Sequence, residues 1–290
     1  MKLEDIAKTL ENELVSRVGK SGMMFRIFSR VKSTESLGHK MAIKGDRYLS
    51  GKAKIQDMIG IRFVLYFPDD VEAMSIFLGS EDVVESAIDE RDLATFCPQR
   101  LNLTKNIPPQ FVEDFRSCLP EAYAPYIDST YEVQIRTVFS EGWHEVEHDM
   151  RYKCKEDWLE CEQFSRTLNA MLGTLETVEW GMKSLFHEMA YRNYLQGNFR
   201  AMLRNKMRIR LADTDFTPAT AEYLQKHANL AKRFLATDRV VLILTLLNRD
   251  ETLDLTYDNI LFLANNIEIN DKGLAELEAG KSADKHGDKP

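Results

Sequence analysis

The chain has 290 residues, 44% of them hydrophobic, and a formal net charge of −8. That length suits one large or two modest domains, and the composition is apolar enough for a sizeable core. The acidic balance argues against a protein that coats nucleic acid without regard to sequence, and the absence of any apolar run of about eighteen residues excludes a hydrophobic membrane helix.

Residues 1–18 place Leu3, Ile6, Ala7, Leu10, Leu14 and Val18 at helical spacing. They mix acids and bases and lack the apolar centre of a signal peptide, so the cytoplasm is the expected compartment. Gly19 and Gly22 end that helix, and a short strand is expected over 23–31. Residues 34–42 read as a helix stopping near Gly45. The run IGIRFVLYF at 59–67 is rich in β-branched and aromatic residues and reads as a buried strand. Asp69 and Asp70 are expected to cap a helix reaching about Leu78. Strands are expected at 83–88, at 101–107 and, with clear alternation, at YEVQIRT (131–137), followed by a helix over 138–153. From 158 to 211 nearly everything suits helix. Further helices are expected at 217–235, 239–247 (with 240–247 also readable as a strand) and 257–265. The tail AGKSADKHGDKP reads as disordered. The division is thus an N-terminal α+β domain at 1–155, a helical region at 156–278 and a tail at 279–290. Cys97, Cys118, Cys154 and Cys161 form no C-x-x-C pair and are expected as free thiols.

Several stretches carry candidate chemistry. Two GKS triplets, at 19–21 and 280–282, have Leu14 and Ala275 where a phosphate-binding loop needs glycine, so both fail. WHEVEH (143–148) spells H-E-x-x-H, a zinc-hydrolase pattern with two imidazoles one turn apart. Its extended form would need Gly at 151 and His at 154, where the chain has Arg151 and Cys154. A distant third ligand such as Glu176 or Glu179 stays open. Asp57, at the mouth of the 59–67 strand, and Glu132, opening the 131–137 strand, form a second constellation. Two carboxylates from neighbouring strands suit Mg²⁺, which takes one or two protein carboxylates plus substrate phosphates. Arg30, Lys32, Lys40, Arg62, Arg91 and Arg136 cluster around the same elements, as a triphosphate would require. Arg62, inside a buried-looking strand, needs a partner.

Together these stretches resemble the synthetase domain of the RelA/SpoT family over roughly residues 20–155. The first, SRVKSTES (29–36) followed by Lys40-Met41, is similar to R-x-K-S-x-x-S-x-x-x-K-M. The second, DMIGIR (57–62), is similar to D-x-x-G-x-R, and the third, Arg91-Asp92, to a basic Arg-Asp step. The fourth, YEVQIRT followed by Glu141-Gly142-Trp143, Glu147-His148 and Tyr152-Lys153, resembles E-x-Q-I-R-T and a helix ending E-H-x-x-Y-K. The flanking agreement spans more positions than H-E-x-x-H does, and it leaves His144 and Glu145 without a role.

The resemblance implies a nucleotidyltransferase-like mixed sheet flanked by helices. It also implies transfer of pyrophosphate from ATP to the ribose 3′-hydroxyl of a guanine nucleotide, the alarmone chemistry of the stringent response, with Mg²⁺ as cofactor. By position, Asp57 and Glu132 hold the metal, and Glu132 takes the hydroxyl proton. Arg30 and Arg62 sandwich adenine, while Lys32, Ser36, Lys40 and Arg91 meet phosphates. Gln134, Arg136, Glu147 and His148 contact the acceptor or brace the site.

The chain departs from the family at the acceptor. Where G-Y-x-S-x-H is expected it reads FCPQRLN (96–102), with Pro98 in place of the stacking Tyr and Asn102 in place of His. The acceptor is accordingly a guanine nucleotide, an adenine nucleotide or a tRNA 3′ end, as in relatives that act as toxins. An insertion at 107–130, with four prolines, reads as a decorated hairpin or a lid. The alternatives are a nucleotide-binding module that has lost turnover and a zinc hydrolase using HEVEH. An antitoxin or a second copy of the chain is the expected protein partner, and no membrane is.

Overall fold

The computed structural model describes residues 1–81, 83–88 and 101–287, and divides into two compact units. The first comprises Met1–Arg17 and Phe25–Glu179; the second comprises Val18–Met24 and Trp180–Pro290. The division therefore falls well beyond the boundary expected near residue 155. The reason is the helix Glu162–Leu195, whose first half belongs to the first unit.

In the first unit, α1 (Leu3–Gly19) buries Leu3, Ile6, Leu10 and Leu14 at the expected spacing. Strands β1 (Phe25–Val31), β2 (Ile59–Leu65), β3 (Val83–Ile88), β4 (Leu101–Asn106) and β5 (Thr130–Thr137) form one sheet in the order β1-β2-β5-β4-β3. β2 and β5 run parallel and every other pair is antiparallel, which makes the sheet mixed as anticipated. The core lies under β2 and β5, where Ile59, Ile61, Phe63, Leu65 and Val133 are fully buried.

Local chemistry explains where the elements differ from expectation. α2 (Thr34–Leu49) runs past Gly45, with Lys44 leaving helical geometry at φ −124°, because the buried Tyr48 anchors a further turn. β2 stops at Leu65 since Phe67 precedes Pro68 and is held extended. Asp69 and Asp70 do not cap α3 (Pro68–Gly79). Phe67 occupies the cap and Pro68 the first turn, so both acids lie inside that turn, buried, where the helix dipole favours them. The 107–130 insertion joins antiparallel neighbours and is a decorated hairpin carrying α4 (Val112–Ser117). α5 (Val138–Glu147) starts at a capping box between Thr137 and Ser140 and gives way to one π-helical turn at His148–Tyr152. That turn is closed by the Lys153 N–H on the His148 carbonyl at 3.1 Å.

Helix α6 (Glu162–Leu195) ends before Gly197, whose φ of +69° suits glycine, and Asn198 caps α7 (Phe199–Met207). The stretch 158–211, expected to be nearly all helical, thus carries two helices, α6 and α7. The 217–235 segment also splits, into α8 (Pro218–Lys226) and α9 (Ala228–Ala236), at the non-helical His227. Residues 239–247 form a helix and not a strand, α10 (Arg239–Leu247), with the Asp238 side chain accepting from the Val240 N–H. After α11 (Tyr257–Ala264), α12 (Lys272–Gly287) continues through most of the segment expected to be disordered. Lys281 holds it there through Asp258 Oδ2 and Asn259 Oδ1, both at 3.2 Å. No described helix is long and apolar enough to cross a membrane. Cys118, Cys154 and Cys161 are free thiols; Cys97 lies outside the described residues.

Candidate active site

Sheet register assembles the site. Arg26, Phe28 and Arg30 alternate on the exposed face of β1. Phe28 pairs with Arg62, Arg62 with Gln134 and Gln134 with Asn102, so these four form one row across the sheet. A second row runs Arg30, Gly60, Glu132, Thr104. Having no side chain, Gly60 leaves the floor open between Arg30 and Glu132; a Cβ there would lie 3.9 Å from Arg30 Cγ. Above these rows lies a cavity of about 450 Å³, lined among others by Phe28, Arg30, Asp57, Arg62, Glu132, Gln134, Glu141 and Glu145. That volume suits a nucleotide-sized ligand.

Asp57, just before β2, receives Lys32 Nζ at 2.5 Å on one oxygen and Lys40 Nζ at 2.8 Å on the other. Burial pushes its carboxyl up, but the two ammonium groups outweigh this and hold it below the usual carboxylate range. Burial lowers Lys32, and Asp57 only partly restores it. For Lys40 burial also lowers, yet Asp57 prevails and its ammonium form is favoured. Ser36 is exposed and takes part in the start of α2, where its N–H donates to Ser33 Oγ at 3.1 Å.

Glu132 is held by neutral donors: Asn102 Nδ2 at 3.0 Å and Gln134 Nε2 at 2.6 Å. Gln134 in turn accepts from Arg62 Nε at 2.9 Å. Arg62 has the partners its position demands, with one guanidinium nitrogen on Glu141 at 2.5 Å and also on Glu145. Burial would lower Arg62, but these two carboxylates keep it above its ordinary value. Glu141 spends its other oxygen on Arg136 at 3.0 Å. Burial, followed by the nearby Arg62, lowers Arg136. Arg136 therefore braces the site through Glu141.

Glu147 and His148 are not among the residues lining the cavity. Glu147 pairs with Arg151 at 3.3 Å, while His148 Nδ1 meets Asp149 Oδ1 at 3.1 Å. At the end of α5, His148 joins a ring column, stacked on His144 one turn earlier at 5.9 Å and on Tyr152 at 5.6 Å between centroids. Burial, then Arg136 and Arg62, lowers His144 to about 4. The imidazoles of HEVEH thus lie face to face and do not converge on a point, Glu145 is committed to Arg62, and Glu179 accepts from the Thr137 hydroxyl. Among the described residues no three His, Cys, Asp or Glu side chains form a metal-binding group, so the zinc ligand set is not assembled. Arg91 and Pro98 lie outside the described residues.

Reading the sequence missed Glu141, Glu145, Asn102 and Phe28 as parts of this site. Period-two alternation in β1 could have flagged Phe28, exposed between two arginines. The others become visible only once the strands are in register.

Residues 29–157 match the family model described as a region found in RelA / SpoT proteins, and the chain carries a RelA/SpoT region there. Among solved structures, the chain is similar to a GTP pyrophosphokinase family protein from Streptococcus pneumoniae (20% identity, 64% of this chain and 94% of that one, TM-score 0.45). It is also similar to small alarmone synthetase 1 from Bacillus subtilis bound to its product pppGpp (19%, 64% and 94%, 0.48). A third is small alarmone synthetase 2 from Bacillus subtilis (21%, 62% and 90%, 0.46). No curated protein matches.

Proposed function

We propose, from the RelA/SpoT region at residues 29–157, that this chain is an ATP-dependent pyrophosphokinase. The oxygen of a ribose 3′-hydroxyl attacks the β-phosphorus of ATP. The bond from that phosphorus to the α,β-bridging oxygen breaks, and AMP leaves. One observation carries the reading: Asp57 and Glu132 line the same cavity as Arg30 and Arg62, while Lys32 and Lys40 sit on Asp57.

Each residue has work that its surroundings suit. Lys32 and Lys40, paired with Asp57 in the absence of substrate, turn to the β- and γ-phosphates when the triphosphate arrives, which frees the carboxylate. Arg30 and Arg62 flank the donor base; Gln134, Glu141 and Glu145 fix the plane of Arg62. Glu132, oriented by Asn102 and Gln134, takes the 3′-hydroxyl proton. Two carboxylates facing one cavity fit Mg²⁺, which completes its shell with substrate phosphates and water; Asp57 and Glu132 would hold it. Bound there, the ion neutralises charge on the transferring group.

The acceptor is a guanine nucleotide, an adenine nucleotide or a tRNA 3′ end. A second reading, a nucleotide-binding module without turnover, draws on the lysines that engage both oxygens of Asp57. Incubating the chain with γ-labelled ATP, Mg²⁺ and each of GDP, GTP, ADP, ATP and bulk tRNA separates the two. Label moving to one acceptor supports the enzyme and names its substrate. ATP binding with no labelled product from any acceptor supports the module.

A further inference from the structure

Strand β1, FRIFSRV, sets one aromatic residue between two arginines at the period of two that puts all three on one face. Water tolerates Arg26 and Arg30 there. Phe28 is apolar, yet it lines the cavity with 54% of its surface exposed. The strand does not need it for packing, since the less exposed face of β1 is the other one, with Phe25, Ile27 and Val31.

Register fixes its surroundings. Phe28 pairs with Arg62 across β1 and β2, which sets their Cβ atoms about 5 Å apart. Arg30 stands two residues along the same face, roughly 7 Å away, which is twice a carbon–carbon contact distance and so the room a flat ring needs between two neighbours. The Arg62 guanidinium is turned to Gln134, Glu141 and Glu145. Two further observations mark this end of the cavity as fit for a flat, largely apolar body. Val64 and Val138 also line it, so Phe28 is not an isolated apolar side chain. Gly142 lines it from inside α5, where glycine weakens a helix, and a Cβ there would meet nothing within 4 Å.

We propose that Phe28 stacks on the donor base and gives this site a preference for a purine over a pyrimidine triphosphate. The inference rests on the donor reading above, in which Arg30 and Arg62 flank the base of ATP. A base between those two arginines lies against Phe28, and a two-ring purine covers more of the phenyl face than a one-ring pyrimidine does.

Calorimetry on the full-length chain with ATP and with CTP, without Mg²⁺ or acceptor, tests this. The wild-type chain is expected to bind ATP more tightly than CTP. Phe28→Ala is expected to weaken ATP by about 10-fold or more and to narrow the ratio between the two nucleotides, whereas Phe28→Trp keeps both the affinity and the ratio. Should Phe28→Ala lose its far-ultraviolet circular dichroism spectrum, Phe28→Leu, apolar but without a flat ring, is read in its place with the same expectation. A folded variant that binds ATP as the wild type does overturns the proposal. So does one that weakens both nucleotides alike, as a merely structural role would. Equal binding of ATP and CTP by the wild-type chain overturns it and leaves the donor reading standing, while a wild-type chain that binds neither nucleotide removes the donor reading as well.

Discussion

Two regions of the cavity solve opposite electrostatic problems. Around Asp57, one carboxylate meets two lysines, with Arg30 exposed nearby, so cations are in surplus. Around Glu132, two arginines, Arg62 and Arg136, meet Glu141 and Glu145, while Glu132 itself accepts from the amides of Asn102 and Gln134. The first region has positive charge to give to a polyanion. In the second the arginines are balanced by Glu141 and Glu145, and among the described residues no ion pair engages Glu132. The proposed division of labour follows this difference, with phosphates at the lysines of the first region and proton transfer at Glu132 in the second.

The sharpest way to break this contrast is Glu132→Gln. It removes the base and, by placing an NH2 where one carboxylate oxygen accepted, gives up one of the contacts from Asn102 and Gln134. It is expected to lower kcat by about 10²–10⁴-fold with metal-free ATP affinity nearly unchanged, read by turnover and by calorimetry without Mg²⁺. A matching loss of affinity would move Glu132 into the first region. Lys32→Met probes the other side. Losing a charged contact to phosphate should weaken ATP binding by about 10–100-fold and flatten its salt dependence, while Lys40 still neutralises Asp57.

Acid stability sharpens the account of the second region. The folded chain holds His144 neutral down to about pH 4, whereas an unfolded chain protonates it near 6.5. Acid thus favours the unfolded state across that interval: the stability contribution is complete above 6.5 and falls as the pH drops toward 4. His144 is only half-buried, so with solvent screening the expected loss is about 1 kcal/mol, measured by denaturant titration at a series of pH values, and His144→Gln should remove that part of the slope. The smallest effect belongs to Glu145→Gln. Its side chain is 53% exposed, so freeing Arg62 from it should change the KM for ATP by less than about fivefold. Glu141→Gln should do more, since Glu141 is largely buried and shared by two arginines.

Much of this arrangement was legible in the chain. Alternation in YEVQIRT and the apolar run around Arg62 marked β5 and β2, and Asp57 and Glu132 stood out as acids at strand ends. Register was not legible, because the row Phe28, Arg62, Gln134, Asn102 depends on strand pairing across long separations. Asn102 read as a departure from the family pattern, yet it supplies a donor to Glu132. His148 matched the family motif but is not among the residues lining the cavity, and the π-helical turn that follows it is announced by no local propensity. The C-terminal segment failed in another way. Its composition reads as tail, yet it continues α12, where Lys281 contacts Asp258 and Asn259.

The most direct test of the central claim follows the β-phosphate. With β-labelled ATP, Mg²⁺ and the acceptor that takes label, the account predicts that the label moves with the γ-phosphate to the acceptor's 3′-oxygen and that one AMP forms per product. Label remaining on ADP, or folded protein that binds ATP and yields no AMP with any acceptor, would contradict it.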